Sequence, residues 1–284
     1  MIQTLFCVIL AYGCVSAGTG DWENTYYETD AWKFSPFFTN AFPVCQRKRQ
    51  SPIDINSCDV IDANLPPLQW NGFNRKLTGT LTNNGHTAKL TTDPKSKPII
   101  LSGGPLYSAY QFSELHFHWG DTDKIGSERA MKGKKYPIEL HVVTFNTDYG
   151  NIKSAMNYPD GICALSCLFE LQDKDNENYS ALVAALSKVV KPHTSATIID
   201  HPTLFQLLPS ILSRYYTYGG SLTTPPYPEV VTWIDFVQTV KISRKQLQSF
   251  RHLIDDHGQP MVNNFREIQP LNDREVIRND DNYC

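Results

Sequence analysis

The stretch that decides the fold is ELHFHWG, Glu114–Gly120, because it sets two histidines into an otherwise apolar, aromatic run. Alternate side chains of an extended strand point to the same face. The run therefore predicts a strand with Glu114, His116 and His118 on one face and its Leu, Phe and Trp side chains packed on the other. Burying two imidazoles beside a carboxylate indicates a chemical role, because polar groups are costly to bury without partners.

A second segment, PIELHVVTF at residues 137–145, repeats this pattern. Glu139, His141 and Val143 share one face of the predicted strand. If the two strands are near neighbours, three imidazoles and two carboxylates meet on one polar face. Three neutral imidazoles with an open fourth position form a catalytic zinc site, and nearby carboxylates accept the outer N–H groups of the ligands. A lone strand histidine is more often a hydrogen-bonded core residue, but the repeated Glu-x-His register favours a metal site.

The composition predicts one mostly β domain (α+β) around a large sheet, with a few short helices. The chain has 284 residues and a net charge of -3, so nothing favours binding to nucleic acid or to an anionic membrane surface. Strand-like runs alternate with turns rich in Gly, Pro, Asn and Asp. The runs lie at residues 76–92, 108–119, 136–146, 162–171 and 230–236, and helical spacing occurs at 179–190 and 243–254, where Ser243 is a candidate N-cap.

The N-terminus resembles a secretory signal. Residues 1–17 contain a short apolar run followed by Val15-Ser16-Ala17, which predicts cleavage after Ala17 and a mature domain over 18–284. That run is too short to span a bilayer, and no second apolar segment or lipid-anchor signal follows. The sequence therefore predicts a secreted, soluble protein without a membrane span. Asn178 lies in the chain's glycosylation sequon, NYS, although such matches are often unused.

The cysteines of the predicted mature chain are odd in number: Cys45, Cys58, Cys163, Cys167 and Cys284. In an oxidising compartment at least one of them is then free or pairs between chains, which makes a disulfide-linked partner possible. Cys163 and Cys167 lie in an apolar strand-like run. We interpret these two as small buried hydrophobic residues in preference to a bridge.

Several further motifs, taken with the two histidine strands, resemble the alpha-class carbonic anhydrases. They occur in the family's order along nearly the whole mature chain: QSPIDI (50–55), NNGH (83–86), HFHWG (116–120), GSE (126–128), ELH (139–141), YTYGGSLTTPP (216–226) and VTW (231–233). GSLTTPP is highly specific by itself. The resemblance implies a large, twisted, mostly antiparallel sheet and the zinc-dependent, reversible hydration of carbon dioxide to bicarbonate and a proton.

The resemblance also implies roles for individual residues. His116, His118 and His141 correspond to the zinc ligands. Thr223 corresponds to the residue that accepts a hydrogen bond from the zinc-bound hydroxide before its attack on carbon dioxide, and Glu128 to the acid that orients Thr223. The remaining correspondences are Glu139 and Asn264 as partners of the ligand histidines, Thr224 as a bicarbonate contact, and Leu222, Val143, Val231 and Trp233 as the apolar wall for carbon dioxide.

His86, in NNGH, corresponds to the proton shuttle of the family. An imidazole titrates in the range needed to carry protons outward at neutral pH. Tyr26 or Tyr27, together with Asn84, is a candidate for holding the connecting waters. The histidines at 193, 201, 252 and 257 correspond to nothing catalytic, so we interpret them as surface or structural residues.

Departures from the family pattern set the open questions. Arg129 replaces the histidine usual after GSE, which puts the geometry of the Glu128 network in doubt. Glu114 replaces the usual glutamine, and we predict that it accepts the outer N–H of His116 with a full negative charge. Ala164 replaces a larger valine and predicts a roomier pocket. Tyr227 replaces a cysteine that often bridges in secreted members, so Cys45 pairs elsewhere, for instance with Cys58, or stays free.

Two functional classes follow from these features. The first is a secreted zinc enzyme, for which all the expected ligand histidines are present. The second is a non-catalytic binding or matrix protein on the same scaffold. Relatives of that second kind typically lack a ligand histidine, and Arg129 is the feature that favours it here.

Overall fold

The computed structural model describes residues 47–76, 78–198 and 202–280, and strands predominate among them. The strands are β1 (Asp54–Ile55), β2 (Ile61–Ala63), β3 (Gln69–Asn71), β4 (Gly79–Asn83), β5 (Ala88–Thr92), β6 (Ile100–Gly103), β7 (Leu106–Trp119), β8 (Ala130–Met131), β9 (Ile138–Asn146), β10 (Ile162–Gln172), β11 (Thr194–Ile198), β12 (Tyr215–Gly220), β13 (Val231–Phe236), β14 (Val240–Ser243) and β15 (Ile277–Asn279). The α-helices are α1 (Ile152–Ala155), α2 (Ser180–Leu186), α3 (Leu204–Leu207) and α4 (Arg244–Arg251), and 3₁₀ turns occupy Thr147–Tyr149 and Glu177–Tyr179.

Within the described residues, one 13-stranded sheet organises the molecule. Its order is β11-β4-β5-β7-β9-β10-β13-β12-β15-β2, with β6 joining β7 to β3 and β14 pairing with β10. Most neighbours are antiparallel, whereas β10 pairs in parallel with β13 and β14, and β15 with β2. Strands β1 and β8 form a separate parallel pair. The expected large, mostly antiparallel sheet is confirmed.

The two histidine strands lie side by side at the centre of the sheet. Strands β7 and β9 pair antiparallel, and every residue of β9 is buried. Leu115 and Phe117 are fully buried in the larger of two apolar clusters, as are Leu140 and Val142 of β9. The apolar faces therefore point as the alternation predicts, which leaves the polar faces of both strands on the opposite side.

Both predicted helices are present. Helix α4 begins after Ser243, whose hydroxyl accepts from the Gln246 amide while the Gln246 side chain bonds back to the Ser243 amide, so the predicted N-cap forms a capping box. Helix α2 covers the first part of the segment predicted at 179–190. The periodicity does not predict α1 or α3, because each is a single turn too short to show a helical repeat.

The cysteines in the described residues form no disulfide. Cys163 and Cys167 are fully buried on β10, which confirms their interpretation as core residues, and Cys58 is exposed. Burial raises the pKa of the Cys163 thiol to about 12, which keeps it protonated and inert. Cys45, Cys284, Tyr26, Tyr27 and the predicted signal lie outside the described residues. Within the described part of the chain, no helix is long and apolar enough to cross a membrane.

Candidate active site

Three imidazoles meet on the polar face of β7 and β9. His116 lies directly opposite His141 in the antiparallel register, and His118 is two residues further along β7. One ring nitrogen of each histidine lies within 4.8 Å of the corresponding nitrogens of the other two. His118 and His141 are almost fully buried, whereas His116 is partly exposed. The predicted strand pairing thus brings together the three predicted ligands.

Each ring has one nitrogen that faces away from the other two imidazoles, here called the outer nitrogen, and this atom has a hydrogen-bond acceptor. His116 donates from Nδ1 to Glu114 Oε1 at 2.7 Å, which is the contact predicted for Glu114. His141 donates from Nε2 to Glu139 Oε1 at 3.0 Å. His118 donates from Nδ1 to the main-chain oxygen of Asn264 at 2.8 Å. Asn264 is therefore a partner of a predicted ligand histidine, but through its main-chain oxygen.

These contacts fix which nitrogens remain available inside the site. A carbonyl or carboxylate oxygen requires a proton on the outer nitrogen, so a neutral ring presents a lone pair at the inner one. The inner atoms Nε2 of His118 and Nδ1 of His141 are only 3.1 Å apart. Two lone pairs facing each other at this distance repel unless a cation or a proton lies between them. The donor set fits a metal ion that prefers imidazole nitrogen.

Buried charge acts differently on these two imidazoles. Burial lowers the pKa of His118 well below its usual range, and the neighbouring imidazoles of His141 and His116 add to the effect. Burial also lowers the pKa of His141, but the hydrogen bond and charge of Glu139 outweigh burial and raise it overall. The surrounding carboxylates therefore stabilise the positively charged form of His141 more than that of His118.

Glu128 lies beneath the imidazoles and is buried. Its Oε1 accepts a hydrogen bond from the Arg266 amide at 2.8 Å and lies 3.4 Å from His118 Nδ1. Burial raises the pKa of Glu128, and the charge of His141 and the hydroxyl of Thr223 offset part of that increase. The predicted pairing of Thr223 with Glu128 stays a prediction, because Oε2 of Glu128 has no hydrogen-bond partner among the described residues.

Arg129 leaves this arrangement in place. Its main chain and that of Glu128 donate to Glu139 Oε2 at 3.0 and 2.7 Å. Its guanidinium donates to Ser166 Oγ and to the main-chain oxygen of Phe236. Burial raises the pKa of Glu139, but its contacts to His141, Arg129 and Ser166 outweigh burial and lower it to about 2. Glu139 is therefore a carboxylate at neutral pH and a strong acceptor for His141.

The residues expected to form the apolar wall gather in the second apolar cluster. Val143, Ala164 and Trp233 lie in one row across β9, β10 and β13. Val231 belongs to the same cluster, and the partly buried Leu222 packs against it. The Trp233 ring lies 4.9 Å from the His141 ring, in an edge-on arrangement. An apolar surface therefore borders the imidazoles on one side, while Thr224 is exposed beside it.

His86 lies in the turn between β4 and β5. Its Nε2 is 3.4 Å from Asp256 Oδ2, and the other oxygen of Asp256 lies 2.9 Å from Nε2 of His193. The side chain of Asn264 donates to the main-chain oxygen of His86 at 2.9 Å. Asn264 thus contacts the turn of His86 with its side chain and His118 with its main-chain oxygen.

Sequence reasoning misses four residues that the structure brings to the site or its border: Ser166, Asp235, Asp256 and His193. Asp235 could have been found from the sequence, because it is a charged residue within an apolar strand-like run. Ser166 could have been found in the same way, as a polar residue within the apolar run of β10. Asp256 and His193 lie in separate loops, and no local pattern connects either of them with His86.

The family model for eukaryotic-type carbonic anhydrases matches residues 29–280. Carbonic anhydrase 7 of Mus musculus is 37% identical over 242 residues, covering 83% of this chain and 90% of that protein. Carbonic anhydrase 6 of Bos taurus is 37% identical over 244 residues, covering 84% of this chain and 75% of that protein.

Proposed function

The chain belongs to the eukaryotic-type carbonic anhydrase family and is a carbonate dehydratase, and on that premise we propose how its own residues carry out the hydration of carbon dioxide. The proposal is a zinc site on His116, His118 and His141, with proton export through His86. The observation that carries it is the convergence of three inner imidazole nitrogens whose outer nitrogens already have acceptors. Zinc held in this way acts as a Lewis acid and supplies a water-derived nucleophile near pH 7.

Glu128 and Thr223 orient the nucleophile in this proposal. Glu128 is anchored by the Arg266 amide, so its free oxygen, Oε2, faces a fixed direction. When the Thr223 hydroxyl donates its proton to this oxygen, Oγ1 of Thr223 can only accept a hydrogen bond in return. That leaves a lone pair of the nucleophile aimed at the substrate, which lowers the entropic part of the barrier.

The substrate rests against the apolar wall. Carbon dioxide carries no net charge, so it gains little from polar contacts and is best held beside hydrophobic side chains. Val143, Val231 and Trp233 are buried and line one side of the imidazole cluster, with Leu222 packed against them. Thr224, exposed next to Thr223, is placed to contact the bicarbonate product. The small side chain of Ala164 supports the expectation of a roomier pocket.

His86 exports the proton. Asn83 holds the surrounding loops together, because its side chain donates to the main-chain oxygens of Val190 and Ile254 and its own main-chain oxygen accepts from His193. The fold therefore fixes Asp256 beside His86. A carboxylate at this position stabilises the imidazolium that forms when a proton arrives at Nε2. The side chain of His86 is one-quarter exposed, so the proton passes from it to buffer.

Replacement of His86 by alanine tests this export. We expect turnover in weak buffer to fall by a factor of about 100, at the lower end of the range that one proton-transfer group contributes. Isotope exchange between carbon dioxide and bicarbonate at equilibrium does not need export, and it should remain nearly intact. Added imidazole should restore much of the lost turnover. His252→Ala, at an exposed histidine after α4, is the matched control, and a loss that buffer cannot rescue would assign His86 another role.

Glu114 should set the pH at which the enzyme becomes active. Its carboxylate lies beside a ligand imidazole, and the charge of His116 helps to lower its pKa against burial, so it is ionised at neutral pH. In this proposal the controlling group is the water that zinc would hold, and a nearby negative charge favours its protonated form. Glu114→Gln should therefore lower the pH midpoint of hydration by about one unit, the size of shift that a partly screened neighbouring charge produces. Coincident pH profiles with zinc retained would contradict this assignment.

The extracellular location is also part of the proposal. It is supported by the signal-like segment at residues 1–17, with the mature domain over 18–284. Asn178 is exposed, so a glycan there would extend into solvent. Exposed Cys58 is available for a link to Cys45 or to another chain.

One measurement separates the enzyme from a binding protein on the same scaffold. Zinc content and the rate of carbon dioxide hydration should be determined on the purified mature chain. We expect one zinc per chain and a rate far above the buffer background. Stoichiometric zinc without hydration activity would instead support the binding or matrix protein.

A further inference from the structure

Arg129 is almost fully buried, with 2% of its surface exposed. Its Nε donates to Ser166 Oγ at 2.9 Å and its Nη2 to the main-chain oxygen of Phe236 at 2.8 Å, while Nη1 lies 3.4 Å from the sulfur of Met131. The guanidinium therefore has fixed partners on all sides. A buried arginine is stable only when carboxylates balance its charge.

The first such carboxylate is Glu139, which holds His141. Ser166 Oγ donates to Glu139 Oε1 at 2.5 Å, the same oxygen that accepts from His141. Arg129 Nε lies 3.8 Å from that oxygen. The guanidinium thus acts on Glu139 through the Ser166 hydroxyl and through its charge. Any movement of Arg129 or Ser166 would change the orientation of the ring that offers Nδ1 to the metal.

The second carboxylate is Asp235, which lies opposite Ser166 in the register of β10 and β13. Asp235 is 1% exposed, and neither of its oxygens has a hydrogen-bond partner of good geometry among the described residues. Arg129, Tyr218 and Trp233 line the same small space as Asp235. Burial raises the pKa of Asp235 to about 6, and the charge of Arg129 is the largest effect opposing that increase. Because Arg129 lines the same space as Asp235 and donates to Ser166, the residue opposite Asp235, its guanidinium is placed to balance the Asp235 charge.

We propose that Arg129, Ser166 and Asp235 form one interdependent unit that positions Glu139 and, through it, the metal-ligating nitrogen of His141. Arg129 is a positioning residue, because it reaches His141 only through Ser166 and Glu139. Asp235 balances the part of its charge that Glu139 does not. The inference rests on the proposed zinc site, but it concerns residues that contact neither the metal nor the substrate.

The test is a double-mutant cycle with Arg129→Met, Asp235→Leu and the variant carrying both changes. The readouts are the rate of zinc loss to a chelator, at a temperature where each variant stays folded, and the unfolding midpoint of the zinc-free chain. Arg129→Met leaves two buried carboxylates without their counter-charge, and we expect zinc loss to be about 10- to 100-fold faster. The double variant also removes the Asp235 carboxylate, so only Glu139 lacks its counter-charge, and its zinc loss and unfolding midpoint should lie closer to those of the wild type than those of Arg129→Met do.

Two further variants keep the inference testable if Arg129→Met does not fold. Ser166→Ala removes the hydroxyl between Arg129 and Glu139 but leaves every charge, and it should speed zinc loss by roughly ten-fold. Arg129→Lys retains the charge and should be less impaired than Arg129→Met. The matched control removes a surface ion pair, Arg278 with Asp62, whose atoms approach to 2.5 Å. Removal of that pair should change the rate of zinc loss less than two-fold.

Independent effects of the Arg129 and Asp235 changes on both readouts would overturn the unit, as would Ser166→Ala with zinc loss at the wild-type rate. Lower stability with unchanged zinc loss would also overturn it, because a purely structural role predicts that result. These outcomes differ from failure of the proposed function, in which the wild-type chain itself would not retain zinc.

Discussion

His141→Ala should abolish zinc retention and, with it, carbon dioxide hydration. His141 is the most constrained of the three imidazoles, since it is buried on β9 opposite His116 and held by Glu139. Zinc sites of four ligands bind with an apparent free energy of about 10–16 kcal/mol, so loss of one ligand should cost roughly 3–4 kcal/mol, or about a thousand-fold in affinity. The measurement is zinc per chain after dialysis against a weak chelator.

His86→Ala is the matched control for zinc content, because His86 borders the site without belonging to the ligand cluster. It should retain zinc like the wild type. Circular dichroism should show that His141→Ala keeps its strands, so that loss of metal is not loss of fold. Full zinc occupancy and activity in His141→Ala would show that the ligand assignment is wrong.

The second large effect is expected at Thr223. Thr223→Ala should lower the hydration rate by a factor of about ten to a thousand while zinc content stays unchanged, because the nucleophile loses its orientation. Thr223→Ser retains a hydroxyl and should keep most of the rate. The comparison requires steady-state hydration rates in strong buffer, where proton export does not limit turnover.

The expected result depends on a functional Glu128–Thr223 pair. The structure anchors Glu128 through the Arg266 amide and occupies the guanidinium of Arg129 with Ser166 and the main-chain oxygen of Phe236. Equal rates for Thr223→Ala and the wild type would mean that Glu128 does not direct the Thr223 proton in this chain. Glu128→Gln would then be expected to leave the rate unchanged as well.

The sequence by itself determined which residues share a face. Alternation along ELHFHWG and PIELHVVTF is a local property of an extended backbone, so it correctly predicts the polar faces of β7 and β9 and the apolar faces beneath them. The contact of Glu114 with His116 is equally local, since residues two apart on a strand lie on the same face. The motifs added the candidate site residues, and Ser243 revealed the start of α4.

Only the tertiary structure decided how these faces meet. The register that places His116 opposite His141 comes from pairing between distant segments, and no local pattern specifies it. The acceptor for His118 is a main-chain oxygen of Asn264, and every residue carries such an oxygen, so side-chain identity cannot reveal it. The sequence left the effect of Arg129 on the site open, because its hydrogen-bond partners, Ser166 and the main-chain oxygen of Phe236, lie on two other strands. Charge balance in a buried site is a property of three-dimensional proximity, and sequence distance carries little information about it.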